Sequence, residues 1–488
     1  MKALRHLTLI TAGLFCLAGC ATNPVTGGQD LVLMSEKDEI AIGRQAHQQV
    51  LQEYAVYNDA ELQGYVQYVG GKLAEKSHRP GLSYRFTVLD SQDVNAFALP
   101  GGWIYITRGL MSYLNSEAEL AAVLGHEIGH VTARHAVRQQ TASQLTSIGT
   151  AIGAAFIPGL GQAGYQLAGV LGEALLRGYG RDMELEADRL GAEYLARTNY
   201  EPDAVLNVLR TLKSQELFEV KLARSEGRNP RIYHGLFSTH PDNDTRLKEA
   251  IANARNVAPV PSPQVGRNEY LQRIEGMVYG EDTSQGIIRG RDFYHGALAF
   301  GIRFPAGWKI KNMADRVMAA TPDNDAVIQV TLMPADPKLT PRDYMLEKLG
   351  LKRLGNEQKL QIHGFAAHTA TALVNSGDGQ RPSRMTVIYF GNYAFVLAGL
   401  SRNPGAMGSF DGRFIDTAQT FRALTPEERK ATNQVQRLTL VRADAKTNFQ
   451  SLASASPVQP FPEQQIRLLN GRYPQGELKP GELIKTVK

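Results

Sequence analysis

The sequence predicts a multidomain α+β chain, and three observations lead there. Helical periodicity dominates residues 20–256, broken by one short strand-turn-strand segment. A Pro-rich stretch follows at Val257-Ala258-Pro259-Val260-Pro261-Ser262-Pro263. Beyond it, alternating apolar residues mark strands. With 488 residues, 43% of them hydrophobic, the chain is long enough for two or three cores. The expected division is a signal segment at 1–19, a mainly helical domain with a small edge β-sheet at 20–256, a linker at 257–285, an α+β domain at 286–430 and a small βααβ module at 436–488.

In the helical domain, Glu117 to His135 combines strong helix formers with no Pro and contains His126-Glu127-Ile128-Gly129-His130. Residues four apart share a helix face, so His126 and His130 can offer two imidazoles to one ion. Glu127 projects about 100° away, where it can take a proton from metal-bound water. Zinc suits such a site, one ion per chain, with an open position for the water. Eleven His in 488 residues make a chance match rare, about one chain in a hundred, so a third ligand decides between a metal site and a surface helix.

Arg181 to Leu195 reads as a second helix on which Glu184 and Asp188 share a face. One carboxylate can complete the coordination and the other can accept the N–H of a ligand His; spacing alone leaves the assignment open. His135 lies nine residues after His126, roughly 180° round a continuing helix, and no Gly after His130 turns the chain back. The metzincin pattern therefore does not fit, and His135 is expected to be a packing or surface residue.

Asn95 to Leu110 reads as an extended segment, a Pro100-Gly101-Gly102 turn and the alternating strand Trp103-Ile104-Tyr105-Ile106-Thr107. An edge strand of this kind, with Asn95, Ala96, Phe97 and Ala98 facing the substrate, would bind an extended polypeptide by strand addition, reading backbone more than side chains.

From about Leu31 to Ile251 the chain resembles the gluzincin-type zinc endopeptidases of the CAAX prenyl protease, HtpX and BepA type. The resemblance combines Asn95 to Gly102 and Ile104 to Leu110 with the HExxH helix, Glu184 to Asp188, and Ser238-Thr239-His240-Pro241. It implies a zinc metalloprotease fold with Glu184 as third ligand and Asp188 supporting a ligand His. It also implies that His240 and Arg246 line the catalytic centre, where either could donate to the oxyanion of peptide hydrolysis. A neutral His240 could equally fill the fourth zinc position at rest.

Lys2 and Arg5 precede the apolar run Leu7 to Leu17 and the ending Leu17-Ala18-Gly19-Cys20. A basic start, a short apolar core and small residues make a secretory signal. The ending resembles the bacterial lipobox, which implies acylation of Cys20 and, with Ala21 following, outer-membrane anchoring on the periplasmic side. Cys16 and Cys20 are the only cysteines, so no disulfide is expected in the mature chain. The net charge of +5 has no basic block or aromatic-basic interleaving, which argues against a nucleic-acid partner. Leu145 to Gly172 carries no charge, but Pro158-Gly159 splits it, so a helical hairpin over the cleft is expected, not a membrane span.

In the α+β domain, Arg291 to Phe304, Ala326 to Leu332 and Met385 to Leu400 are strand candidates. Pro341 to Leu349 is a helix with Thr340 as N-cap. The turn Phe304-Pro305-Ala306-Gly307-Trp308 resembles the PsbP/Mog-like fold. The BepA-type helical repeats are not seen, so no partners are carried over from them. Gln436 to Val487 resembles a LysM module whose usual Pro-Gly-Asp-Thr turn is replaced by Ala443-Asp444-Ala445-Lys446-Thr447; peptidoglycan contact and a structural cap both stay open. The expected function is a periplasmic zinc endopeptidase acting on unfolded, misfolded or unassembled envelope polypeptides. The alternative is a non-proteolytic chaperone or cell-wall-binding scaffold.

Overall fold

The computed structural model describes residues 20–32, 34–141, 179–227, 230, 245–246, 248–249, 260–376 and 379–488. The chain is multidomain α+β and divides into two compact units. One comprises residues 1–50, 56–280 and 436–488, and the other residues 51–55 and 281–435. Among the described residues no helix is long and apolar enough to cross a membrane. The stretch Leu145 to Gly172, the proposed signal and His240 lie outside the described residues.

The first unit begins with a short antiparallel pair, β1 (Cys20–Thr22) and β2 (Gln29–Leu31), followed by helices α1 (Glu36–Glu53) and α2 (Ala60–Glu75). A three-stranded sheet comes next: β3 (Arg85–Leu89), β4 (Ala96–Leu99) and β5 (Trp103–Thr107), in the order β3-β5-β4. β5 runs parallel to β3 and antiparallel to β4, so the alternating strand Trp103–Thr107 is central and β4 lies at the sheet edge. The β4–β5 turn requires glycine: Gly101 and Gly102 hold φ of +79° and +94°, and a Cβ at Gly101 would come within 2.9 Å of the Ile40 Cα.

Thr107 caps the short helix α3 (Arg108–Tyr113), and Ser116 caps α4 (Glu117–Thr132), accepting from the Glu119 N–H. The Val265 and Gly266 carbonyls accept from the Ala118 and Glu117 N–H groups, satisfying further donors at the same helix end. Every residue of α4 is buried, because α2, β4, α5 (Arg181–Arg197) and α6 (Ala204–Ser225) pack around it. Helix α7 (Arg267–Ile274) lies within the stretch expected as a linker; its Tyr270, Leu271 and Ile274 are buried.

The second unit holds a seven-stranded antiparallel sheet and a four-stranded one. In chain order the strands are β6 (Ile287–Arg289), β7 (Asp292–His295), β8 (Phe300–Arg303), β9 (Lys309–Asn312), β10 (Arg316–Ala320) and β11 (Ala326–Pro334). They continue with β12 (Gly355–Ile362), β13 (Phe365–Ser376), β14 (Gly379–Phe390), β15 (Tyr393–Ser401) and β16 (Arg422–Ala423). The large sheet has the order β12-β13-β14-β15-β11-β10-β9 and the small one β16-β8-β7-β6. Helix α8 (Pro341–Glu347) starts as expected, with the Thr340 side chain accepting from the Asp343 N–H. Met385 to Leu400 is not one strand but a hairpin, because Phe390 pairs with Tyr393 and Gly391 takes φ +58°. Helix α9 (Met407–Gln419) crosses the large sheet, and the Phe414 ring fills the space a Cβ on Gly399 would need. Helix α10 (Pro426–Thr432) closes this unit with a Thr425–Glu428 capping box.

The chain then returns to the first unit as β17 (Leu438–Arg442), α11 (Phe449–Ser454), α12 (Pro462–Leu469) and β18 (Leu483–Val487), with β17 and β18 antiparallel. This βααβ segment is fastened to the end of α3, just before α4. Lys485, wholly buried, donates from Nζ to the Ser112 and Leu114 carbonyls at 2.6 Å each.

Candidate active site

The site depends on how closely α4 and α5 approach. Gly125 and Gly129 on α4 face Ala187 and Gly191 on α5. A Cβ on Gly129 would lie 3.1 Å from the Ala187 backbone, and one on Gly191 3.1 Å from the His126 nitrogen. These small residues let the two backbones meet with almost nothing between them, and the spacing of packed helices is set by the side chains at the contact. The consequence is chemical. Glu184, in the first turn of α5, reaches the imidazoles of α4.

His126 Nε2 and His130 Nε2 lie 3.0 Å apart, and the two Glu184 carboxylate oxygens sit 3.5 Å from one or the other. Glu184 is wholly buried and His130 nearly so. These ligand atoms lie within 4.8 Å of one another, which makes the group a metal-holding cluster. Glu127 follows His126 on the same turn and is 1% exposed.

A second layer of charges holds these groups. His126 Nδ1 lies 2.8 Å from Asp188 Oδ1. Arg246 grips Asp188 through Nε and Nη2 at 2.7 and 2.6 Å, and its Nη1 is 3.0 Å from Glu184. Burial raises the Asp188 carboxyl, but the Arg246 charge and hydrogen bonds outweigh it and bring the pKa to about 2. Burial would depress His126, yet its bonds to Asp188 and Glu184 carry it above the usual imidazole value. The guanidinium of Arg246 is thus turned towards two carboxylates.

The surroundings of His135 correct the expectation of a helix that continues past His130 and carries His135 to the far side. Helix α4 stops at Thr132, and Arg134 adopts a left-handed φ of 55° without being glycine. Arg134 is held there by bonds from Nε to Glu39 and from Nη2 to the Met34 carbonyl, both 3.0 Å. The turn folds His135 back beneath the HExxH motif, wholly buried, with its Nδ1 2.8 Å from His130 Nδ1. Its Nε2 lies 3.1 Å from Glu186 Oε2, which Arg138 Nη1 also approaches at 2.9 Å. Tyr179 stacks on His130 at a centroid distance of 4.0 Å, a contact the sequence reading missed.

Of the expected substrate-facing residues, Ala96, Phe97 and Ala98 lie on β4, which packs against α4, and Asn95 immediately precedes it. The Asn95 carbonyl accepts from the Thr107 N–H at 3.0 Å. Beside His126 and Glu127 lies a small pocket walled by Leu110, Ala122, Val123, Val208 and Leu212. Cys20 begins β1.

Residues 60–254 match the model of peptidase family M48. The chain is 31% identical over 288 residues to the beta-barrel assembly-enhancing protease of Yersinia pestis, a match covering 55% of this chain and 56% of that protein. It is 34% identical over 176 residues to the mitochondrial metalloendopeptidase OMA1 of Arabidopsis thaliana, covering 36% of this chain and 32% of that one. The chain therefore spans about half the length, or less, of these curated relatives. Among solved structures, cyanobacterial PsbP from Synechocystis is similar at 16% identity over 30% of this chain and 98% of that chain, with a TM-score of 0.22. Residues 60–254, the segment that carries both helices of the metal cluster, are thus similar to peptidase family M48.

Proposed function

We propose that this chain is a zinc-dependent metalloendopeptidase that hydrolyses peptide bonds of unfolded, misfolded or unassembled envelope polypeptides. The observation that carries this reading is the convergence of His126, His130 and Glu184 beside a buried Glu127. Two imidazoles and one carboxylate are a zinc donor set with room for a fourth group. Zinc, when bound, makes a coordinated water acidic enough to attack a peptide carbonyl near neutral pH. Glu127, beside the metal-holding cluster, would take a proton from the attacking water and return it to the leaving amine. Asp188 accepts the Nδ1–H of His126 and keeps Nε2 free for the ion, while Arg246 fixes Asp188 and Glu184 in place. Oxyanion stabilisation falls to His240, assigned by resemblance, with Arg246 contributing its positive charge. The substrate backbone runs along β4 from Asn95 to Ala98, and the apolar pocket beside Glu127 takes a small apolar side chain.

The printed names of the Yersinia and Arabidopsis relatives, a beta-barrel assembly-enhancing protease and a metalloendopeptidase, support an endopeptidase working on envelope polypeptides. We place the enzyme in the periplasm, tethered to the outer membrane through an acylated Cys20. The βααβ segment has the element order of a LysM module, and its attachment through the buried Lys485 favours a structural cap over glycan binding.

Casein digestion by the form lacking residues 1–20, with and without chelator and beside Glu127→Gln, tests the reading. Wild type should cleave only with its metal, and Glu127→Gln should hold zinc yet lose on the order of 10²–10⁴ in rate. Full activity in that variant removes Glu127 as the base. Tight casein binding without cleavage by zinc-loaded wild type would establish the scaffold instead.

A further inference from the structure

We propose that His135 and Glu186 form a positioning relay that fixes the tautomer and ring orientation of the ligand His130. The inference rests on the reading of His126, His130 and Glu184 as the zinc site, and it follows from matching donors to acceptors along one line of side chains. His130 turns Nε2 towards His126 and Glu184, so a metal takes that nitrogen and the neutral ring carries its proton on Nδ1. His135 Nδ1 stands 2.8 Å from this proton's nitrogen and must therefore accept. A neutral His135 that accepts on Nδ1 carries its own proton on Nε2, and Nε2 is 3.1 Å from the Glu186 carboxylate. Arg138, 2.9 Å from the same oxygen, keeps Glu186 an anion and hence an acceptor. Reversing any one link would set two N–H groups or two lone pairs against each other.

The arrangement gives the two ligand histidines unequal support. His126 meets its carboxylate, Asp188, directly at 2.8 Å, whereas His130 meets Glu186 one imidazole removed. Packing reinforces the relay: His135 has no exposed surface, and the Tyr179 ring lies flat on His130 and tilted against His135. The left-handed Arg134 delivers His135 to this place, which explains why a strained non-glycine residue sits directly after the HExxH helix. Partners at this distance from a metal typically change its affinity about 10–100-fold when removed.

The test is zinc affinity of the full chain, measured by competition with chelators of graded strength, and it needs no proteolysis. His135→Leu keeps the volume but removes the acceptor, and should weaken zinc binding about 10–100-fold. His135→Asn places an amide oxygen where Nδ1 was and should recover most of the loss. Glu186→Leu changes a partly exposed residue, so it endangers folding least, and should weaken zinc about tenfold, with Glu186→Gln close to wild type because its amide oxygen still accepts. Equal losses in the Leu and Asn variants of His135 would reduce it to a packing residue. Wild-type affinity in His135→Leu and Glu186→Leu would overturn the relay while leaving the metal site standing. A wild-type chain that takes up no zinc would instead remove the metal reading itself.

Discussion

Glu184 and Glu186 are two residues apart, and the structure gives them opposite neighbours. Glu184 faces the two imidazoles of α4, whereas Glu186 points to His135 and Arg138. On a helix, two residues are separated by roughly 200°, so they cannot share one ion. Glu184→Ala should abolish stoichiometric zinc, while Glu186→Ala should still carry one zinc per chain at micromolar concentrations; metal analysis of both preparations checks the assignment. A zinc content that falls only in Glu186→Ala would move the third ligand. Acid titration reads the same residues. The bond from His135, followed by that from Arg138, holds Glu186 at about 2 against an ordinary 4.5. A folded-state pKa below the unfolded one means the stabilisation is complete above about 4.5 and is lost as pH falls towards about 2. Urea midpoints of the metal-free protein should therefore drop across that window, and Glu186→Gln should flatten the drop, although Asp188 will keep part of it.

At the scale of helices, the HExxH motif has an unread half: its Gly129. The sequence shows where His126, Glu127 and His130 fall, because helix periodicity is local. It does not show that Gly129 meets Ala187, since that depends on a partner helix far along the chain. The signal was present as two small-residue pairs, Gly125 with Gly129 and Ala187 with Gly191, each four apart. Gly129→Val should force α5 outward, because the two nearest atoms a side chain would meet are Ala187 backbone. The expected cost is about 1–3 kcal/mol, as for overpacking, together with loss of zinc as Glu184 leaves the imidazoles. Thermal unfolding and zinc analysis together check it; normal metal content at unchanged stability would show that the helices can part without harm. Locality also decides the other outcomes. Thr340 capping α8 was legible because cap and helix are neighbours. The turn at Arg134 was not, because Glu39, the residue that stabilises it, lies 95 positions away and is itself shared with the buried Arg79.

For the whole molecule, two attachments carry predictions, one proposed to a membrane and one observed within the fold. Cys20→Ala should leave the chain unacylated and move it from the outer-membrane fraction to the soluble periplasmic one; retention in the membrane fraction would require another anchor. The element order of the C-terminal segment was legible in Leu438 to Arg442 and Phe449 to Ala453, which form β17 and α11. Its docking was not, because Lys485 and Ser112 are 373 residues apart and nothing in a strand pattern marks a lysine for burial.

That lysine is the strongest sign that the segment is part of the first unit and not a tethered module. Burial depresses the Lys485 ammonium and raises the Glu119 carboxyl beside it, so each is tolerable only with the other near. The Lys485 nitrogen also satisfies two carbonyls in the turn that leads into α4, and the Arg267 guanidinium ties Asn115 to Leu483 across the same junction. Lys485→Ala removes the cation and leaves both carbonyls and Glu119 without it, and should destabilise the chain by about 3–5 kcal/mol. Lys485→Met, which fills the space, should cost less, because part of the loss in the alanine variant is the cavity. Since this junction runs directly into the N-cap of the helix carrying His126 and Glu127, the proposed peptidase activity should fall along with thermal stability in the alanine variant. A stable, fully active Lys485→Ala protein would show that the segment is merely resting on the rest of the first unit and would reopen glycan binding as its purpose.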